Sequence, residues 1–434
     1  MMNPKSICVV GMGYVGLPLA VALSNHYKVT GFDVSNRRIT SLKEDVDTNM
    51  IISSESLSKS DIDFTEKADC LQRADMIIVT VPTPVNLDSS PDVKYLKDVS
   101  ETIGKQLALV DRSILKYPII LFESTTYPGC TEEVCKPIIE KYSHLKCGEG
   151  FRLGYSPERT NFGDSEHDLS SVVKVVSGQD DQTTEDIASV YSTVVGAGVY
   201  MAPNIKTAEA AKLIENVQRD LNIALVNELA IVFDHLDLDS TEVFKAAATK
   251  WNFVPFKPGL VGGHCIPVDP YYLTHVSKES GYLPKIILAG REINDQMYQF
   301  IGKKINNLCQ TMFKNPSKPI EVLVLGFSFK KNISDTRNSQ VPNLVRQLTG
   351  YGYNVSVNDP VVGSDYFRNS EFTYYEGNEK LYDVVIFSVD HDAYVKMGYK
   401  AHFKHLKKFG LFIDINATFH RYKKRFNDFS YWSP

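Results

Sequence analysis

A chain of 434 residues, 43% hydrophobic and 23% charged, has the make-up of an ordinary globular protein and the length of about three domains. Its net charge of −5 and the lack of a long basic cluster speak against nucleic-acid binding, and there is no run of eighteen or more apolar residues to span a bilayer. Seven scattered cysteines (Cys8, Cys70, Cys130, Cys135, Cys147, Cys265 and Cys309) fit reduced thiols of a cytoplasmic protein better than a disulfide framework. Met1 to Gly13, an apolar run broken by glycines, lacks the form of a secretory leader.

Ser6–Gly11 reads as a buried parallel strand, followed by a helical pattern through Val15, Leu19, Ala22 and Leu23. A second strand, Lys28–Phe32, ends at Asp33, and further short apolar runs lie at Met76–Val81, Pro118–Phe122 and Val172–Val176. Strands alternating with helices predict a doubly wound parallel sheet over residues 1–204. The texture then changes. Ala208–His235 holds helical periodicity without glycine or proline and puts Ile214, Val217, Leu221 and Leu225 on one face, which suits an interdomain linker or a dimer core. Helical patterns continue through Ser240–Thr249 and Pro284–Met312, so residues 205–315 read as a central helical domain. A linker signal stands at Asn315-Pro-Ser-Lys-Pro319, after which Glu321–Gly326, Asn354–Asn358, Asp383–Val389 and Leu411–Asp414 read as strands of a second α/β domain over 316–434.

Gly11-Met12-Gly13-Tyr14-Val15-Gly16 is G-x-G-x-x-G directly after a strand and opening a helix. The first glycine permits the tight turn, the second admits a pyrophosphate to the backbone, and the third lets helix and strand pack closely. Asp33, at the end of the next strand, is placed to receive ribose hydroxyls and would repel a 2′-phosphate, favouring NAD over NADP. Arg37 and Arg38 temper that preference, and their bland reading is a solvated helix start. Thr83 and Thr125 each follow a strand end, where ligands of open α/β sheets lie, and so either line the nicotinamide side or belong to ordinary turns.

Gly259-Leu260-Val261-Gly262-Gly263-His264-Cys265-Ile266-Pro267-Val268-Asp269-Pro270 combines three glycines, a thiol and a carboxylate. A thiol adds to an aldehyde to give a hemithioacetal that can lose a second hydride, so the pairing with a dinucleotide turn points to a four-electron oxidation. The bland alternative is a buried inert cysteine. A helix start at Asp269-Pro270 would lower the thiol's pKa, and Asp269 either activates the water that hydrolyses a thioester or serves as a helix cap. His264 reads as structural, because neighbours in a turn point apart. Lys212, Asn216 and Arg219 share one face of the long helix. They are either a solvated stripe or a set in which lysine and asparagine steady a forming oxyanion while arginine meets phosphate or carboxylate. No paired Cys/His spacing suggests a metal.

Taken together, these stretches resemble the UDP-glucose/GDP-mannose dehydrogenase family. The resemblance runs through Gly11–Gly16, Glu123-Ser124-Thr125, Tyr155-Ser156-Pro157-Glu158-Arg159, Ala208–Asn216, Gly262–Asp269, Gly326-Phe-Ser-Phe-Lys330 and Asp335-Thr-Arg337. It implies two Rossmann-like doubly wound domains, joined by a long central helix and a small helical domain, with a homodimer formed through that helix. It also implies NAD as cofactor and a UDP-sugar as substrate. Cys265 would be the nucleophile, Lys212 and Asn216 would hold the reacting C6 oxygen, and Glu158 and Asp269 would assist thioester hydrolysis. Arg159, Thr160, Arg219, Gly262, Phe329 and Lys330 would contact substrate, and Tyr14, Val15, Arg38 and Arg337 would join the cofactor site.

The Tyr155–Arg159 motif, Tyr127–Glu132, Lys250–Phe253 and Gly262–Cys265 look like the branch acting on UDP-N-acetylhexosamines, UDP-GlcNAc or UDP-GalNAc, for surface polysaccharides. Two departures stand out: Pro267, where the branch usually has glycine or alanine, and Asn416, where the family tends to carry a basic residue. Beside this reading stand UDP-glucose or UDP-ManNAc as substrate, a two-electron hydroxyacid dehydrogenase, and a non-catalytic NAD-binding regulator.

Overall fold

The structure, a computed structural model, describes residues 4–434 apart from 87, 112–116, 161–167, 315–317, 378 and 427. The first three residues of the expected linker at Asn315 therefore lie outside the described residues. The chain forms two compact units, Met1–Glu215 with Tyr271–Tyr282, and Asn216–Pro270 with Leu283–Pro434.

The first unit is built on eight strands: β1 Ser6–Val10, β2 Lys28–Phe32, β3 Ile62–Thr65, β4 Met76–Val79, β5 Ile119–Phe122, β6 Arg152–Tyr155, β7 Lys174–Gly178 and β8 Val199–Met201. They lie in the order β3-β2-β1-β4-β5-β6-β7-β8, parallel except where β6 meets β7. The apolar runs are continuous because both faces are covered. Ile7, Val9, Ile78 and Leu121 enter one core while Cys8, Val10, Ile77 and Phe122 enter the other. Strand β7 begins at Lys174 instead of the expected Val172, with Val173 exposed and the lysine itself buried.

The second unit holds six parallel strands in the order β11-β10-β9-β12-β13-β14. These are β9 Glu321–Leu325, β10 Asn354–Asn358, β11 Thr373–Tyr374, β12 Tyr382–Phe387, β13 Leu406–Asp414 and β14 Ser430–Trp432. Two long helices, Ile205–His235 and Lys285–Met312, replace the strand-helix alternation between the sheets. Both α/β domains and the long central helix are as the sequence predicts. Among the described residues no helix is long and apolar enough to cross a membrane.

The turn after the first strand of each sheet is built the same way. Gly11 and Gly326 stand at φ +96° and +95°. The N–H of each donates to the last residue of the neighbouring strand, Gly11 to Phe32 and Gly326 to Asn358, both at 2.8 Å. A carboxylate then accepts the following amide, Met12 N–H on Asp33 at 2.8 Å and Phe327 N–H on Asp359 at 2.7 Å. A hydroxyl closes the other side, Thr80 Oγ1 on the Gly11 carbonyl at 2.8 Å and Ser388 Oγ on the Gly326 carbonyl at 2.7 Å.

Candidate active site

In the first unit the three glycines do separate jobs. A Cβ on Gly16 would fall 1.9 Å from the Gly11 carbonyl oxygen, so helix Gly16–Ser24 can approach only with glycine there. A Cβ on Gly13 would meet nothing within 4 Å, leaving that backbone open to a ligand. Tyr14 and Val15 are half-buried in the turn. Asp33 is braced by Met12 N–H and Ser35 N–H, both at 2.8 Å. Arg38 is buried, donating from Nε to the Met12 carbonyl at 2.7 Å and from Nη1 to Asp47 at 2.7 Å. Its Nη2 is buried without a hydrogen-bond partner among the described residues, close to where the turn opens. The open backbone at Gly13, the aligned Asp33 and this idle donor fit an adenosine diphosphate group. Thr83 and Thr125, half-buried, follow β4 and β5.

The long helix enters this unit through Glu209, which accepts Thr126 Oγ1 at 3.0 Å, Gly129 N–H at 2.6 Å and Thr131 N–H at 2.9 Å. Glu209 thereby fixes the loop that carries Thr125. Lys212, one turn on, is buried. Glu158 keeps 14% of its side chain exposed and accepts Arg159 N–H at 2.8 Å and Thr160 N–H at 2.5 Å. Burial alone would raise the Glu158 pKa; the Lys174 ammonium, the Thr160 bonds and Lys212 outweigh it and hold the carboxyl below its usual range. Arg159 turns its guanidinium onto the Val173 carbonyl at 2.7 Å and Glu215 at 2.8 Å.

In the second unit the same helix presents Asn216, buried, whose Nδ2 donates to Asp269 Oδ2 at 2.6 Å. Arg219 is exposed. Cys265 is exposed, and its carbonyl accepts Asp269 N–H at 2.8 Å and Val268 N–H at 3.1 Å, so it stands where helix Asp269–Glu279 begins. That geometry accounts for Pro267. It lies two residues before the helix, in the turn closed by the Cys265 carbonyl, whose bonds come from the Val268 and Asp269 N–H groups, so a residue without an N–H breaks neither.

The glycines upstream admit the facing loop. A Cβ on Gly263 would lie 2.7 Å from the Phe329 ring, and one on Gly262 2.8 Å from the Asn338 carbonyl oxygen. His264 Nε2 sits 2.8 Å from Asp335 Oδ2 and meets the Phe329 ring edge-on at 5.5 Å, in keeping with a structural histidine. Arg337 pairs with the same Asp335 at 2.6 Å.

Behind the loop, Asn227 grips Gly259 in both directions: it accepts the Gly259 N–H at 2.8 Å and donates to its carbonyl at 3.1 Å. A cleft of about 320 Å³ follows, lined by Lys257, Gly262, Phe329, Lys330, Asp390 and Asn416 among others. Asn416 Nδ2 reaches the Ser388 carbonyl at 3.4 Å, and Lys257, Lys330 and Lys331 supply the positive charge that an asparagine cannot. Among the described residues no group of three or more His, Cys, Asp or Glu could hold a metal.

Sequence reasoning passed over Glu209, Asn227, Lys174 and Lys257. The first two continue the polar face that it had traced only from Lys212 to Arg219, and Lys174 is a lone lysine inside an apolar strand pattern.

Comparison with known proteins identifies the family. Models of the UDP-glucose/GDP-mannose dehydrogenase family match in sequence, its NAD binding domain over residues 5–195, its central domain over 206–296 and its UDP binding domain over 323–421. The chain belongs to that family. Protein CapL of Staphylococcus aureus is 48% identical over 424 residues, spanning 95% of this chain and 96% of that one. The UDP-N-acetyl-D-glucosamine 6-dehydrogenase of Salmonella typhi is 45% identical over 90% of this chain and 91% of its own. Among solved structures, that of a UDP-D-ManNAc dehydrogenase from Pyrococcus horikoshii superposes with a TM-score of 0.85 at 26% identity, over 99% of this chain and 98% of that one. The dehydrogenase is thus an NAD-dependent oxidoreductase of UDP-sugars, and the family's UDP binding domain falls on its second α/β domain.

Proposed function

We propose that this dehydrogenase oxidises C6 of a UDP-N-acetylhexosamine, UDP-GlcNAc or UDP-GalNAc, through an aldehyde to the uronic acid, for surface polysaccharide synthesis. The buried Asn216–Asp269 pair beside an exposed Cys265 carries the reading, because a two-electron alcohol oxidation needs neither thiol nor carboxylate there. Similarity at 45% identity to a UDP-N-acetyl-D-glucosamine 6-dehydrogenase supports the sugar.

The Gly11–Gly16 turn with Tyr14, Val15, Asp33, Arg38, Thr83, Thr125 and Arg337 would hold NAD, which would supply the hydride acceptor for both oxidations. Lys212 and Asn216 steady the C6 oxygen as its charge develops, and Lys212 exchanges its proton. The Cys265 sulfur adds to the aldehyde carbon and is expelled again when water attacks the resulting thioester. Asp269 and Glu158 take the proton of that water. Arg159, Thr160, Arg219, Gly262, Phe329 and Lys330 contact the nucleotide sugar. The three-part division 1–204, 205–315 and 316–434 assigns cofactor, central and nucleotide-sugar domains, in a cytoplasmic enzyme.

NADH yield tests this across UDP-Glc, UDP-GlcNAc, UDP-GalNAc and UDP-ManNAc. Two NADH per sugar with an acid product are expected, preferentially from UDP-GlcNAc or UDP-GalNAc. Cys265→Ala should lose acid formation while still binding NAD. One NADH per sugar with a stable carbonyl product would overturn the reading.

The same proposal includes a homodimer through helix Ile205–His235. Ile214, Leu225 and Val232 are 55%, 55% and 43% exposed along one face of it, an unusual apolar stripe for a lone chain. Leu225→Arg should shift the mass measured by light scattering from dimer to monomer; an unchanged mass would refute that interface.

A further inference from the structure

A buried charge cluster stands next to Glu158 that the roles above leave unused. Lys174, at the start of β7, is 3% exposed, and its Nζ lies 3.0 Å from Glu123 Oε2 and 3.6 Å from Glu158 Oε2. The ammonium also sits 5.0 Å from the centroid of the Tyr191 ring, while the Tyr191 hydroxyl donates to the other Glu123 oxygen. A buried lysine needs one carboxylate to be tolerated, and Glu123, with no side-chain exposure, supplies it. The second carboxylate is in excess of that need. It is also the one of the two that water can reach, since Glu158 keeps 14% exposure. Two carboxylates facing one ammonium have their proton affinities driven apart. Burial, with Glu158 adding to it, raises the pKa of Glu123, whereas Glu158 is held low.

We propose that Lys174 is the positioning residue of the water-activating step: it holds the Glu158 carboxylate aimed and charged, with Glu123 as its anchoring counter-ion. This rests on the reading of Glu158 as a base in thioester hydrolysis. In that step the water oxygen bonds to the thioester carbon and its proton passes to Glu158. The C–S bond then breaks and its electron pair stays on the Cys265 sulfur. The groups facing Glu158 are Lys174 from β7, Glu123 just after β5, Tyr191 from helix Asp181–Tyr191 and Lys212 from the long helix. The Arg159 guanidinium, on its own loop, is engaged elsewhere by Glu215 and the Val173 carbonyl.

The test compares two substitutions in the full chain with NAD and UDP-GlcNAc. It follows acid formation against pH and the mass of acylated Cys265 in single turnover. Lys174→Met should move the acidic limb of the profile up by about one pH unit or more and let acylated protein accumulate. Lys174→Arg should restore most of the rate. Glu123→Gln should move the limb the other way, because Glu158 then has the ammonium to itself and no neighbouring anion. A limb that stays in place in both variants, or moves the same way in both, overturns the inference, as does Glu123→Gln with no downward shift if Lys174→Met fails to fold. Wild-type protein that makes two NADH but shows an immobile limb in the variants sinks only the role of Lys174. Wild-type protein that makes one NADH and never acylates Cys265 sinks the hydrolytic reading with it.

Discussion

Asn227→Ala would remove the clamp behind the cysteine loop. Asn227 is fully buried and makes three bonds, to the Gly259 N–H at 2.8 Å, to the Gly259 carbonyl at 3.1 Å and to Asn294 Oδ1 at 2.8 Å. Each is worth about 1 kcal/mol net, and the Gly259 groups would be left without their side-chain partner, so the expected loss is about 3 kcal/mol. That is roughly a hundredfold in the equilibrium between the loop as seen and looser forms. A urea titration should show the midpoint falling. Acid formation should fall by about tenfold or more while the first oxidation is less affected, because only the second stage needs the thiol in place. A stability loss under about 0.5 kcal/mol together with unchanged acid formation would refute the clamp.

Two further outcomes follow from the same geometry. Pro267→Gly should lower stability by about 0.4–1 kcal/mol through the freer unfolded chain and change turnover little, since proline has no N–H to contribute at that position; a stabilised variant, measured by thermal unfolding, would contradict this. The buried Asp414 carboxyl is pushed up to about 6, chiefly by burial and against bonds from Phe419 N–H, Tyr431 OH and Thr418 N–H. Because the folded-state value lies above the unfolded one, the native state binds the proton more tightly, and Asp414 adds stability as pH falls through about 6, by about 1 kcal/mol between pH 7 and pH 5. Asp414→Asn should flatten that part of the profile in calorimetry, and an unchanged slope would refute the assignment.

Much of this was legible from residues alone because the signals were periodic or conformational. The strand-glycine-helix start, the alternation of strands and helices, and the cysteine loop each announce themselves locally. The long helix was legible as a helix but not in which way it faces. Of the expected apolar face, Ile214 and Leu225 are exposed but Val217 is buried, while Lys212, Asn216 and Asn227 of the polar face are buried as well. The helix buries part of its polar face because that face meets polar partners such as Asp269 and Gly259. Lys174 was hidden for a related reason. Its partner Glu123 is 51 residues away, and no local pattern joins them.

The repeated turn has a consequence for how the two halves came to hold different ligands. Gly11 with Asp33 and Thr80, and Gly326 with Asp359 and Ser388, are one scaffold used twice. What differs is what stands two to five places beyond the first glycine: Gly13 and Gly16 in one copy, Ser328 and the two lysines Lys330 and Lys331 in the other. The two turns thus share one frame and differ in a few letters, and exchanging the pentapeptides after Gly11 and Gly326 is a way to ask how little sequence separates a dinucleotide cradle from a mononucleotide one.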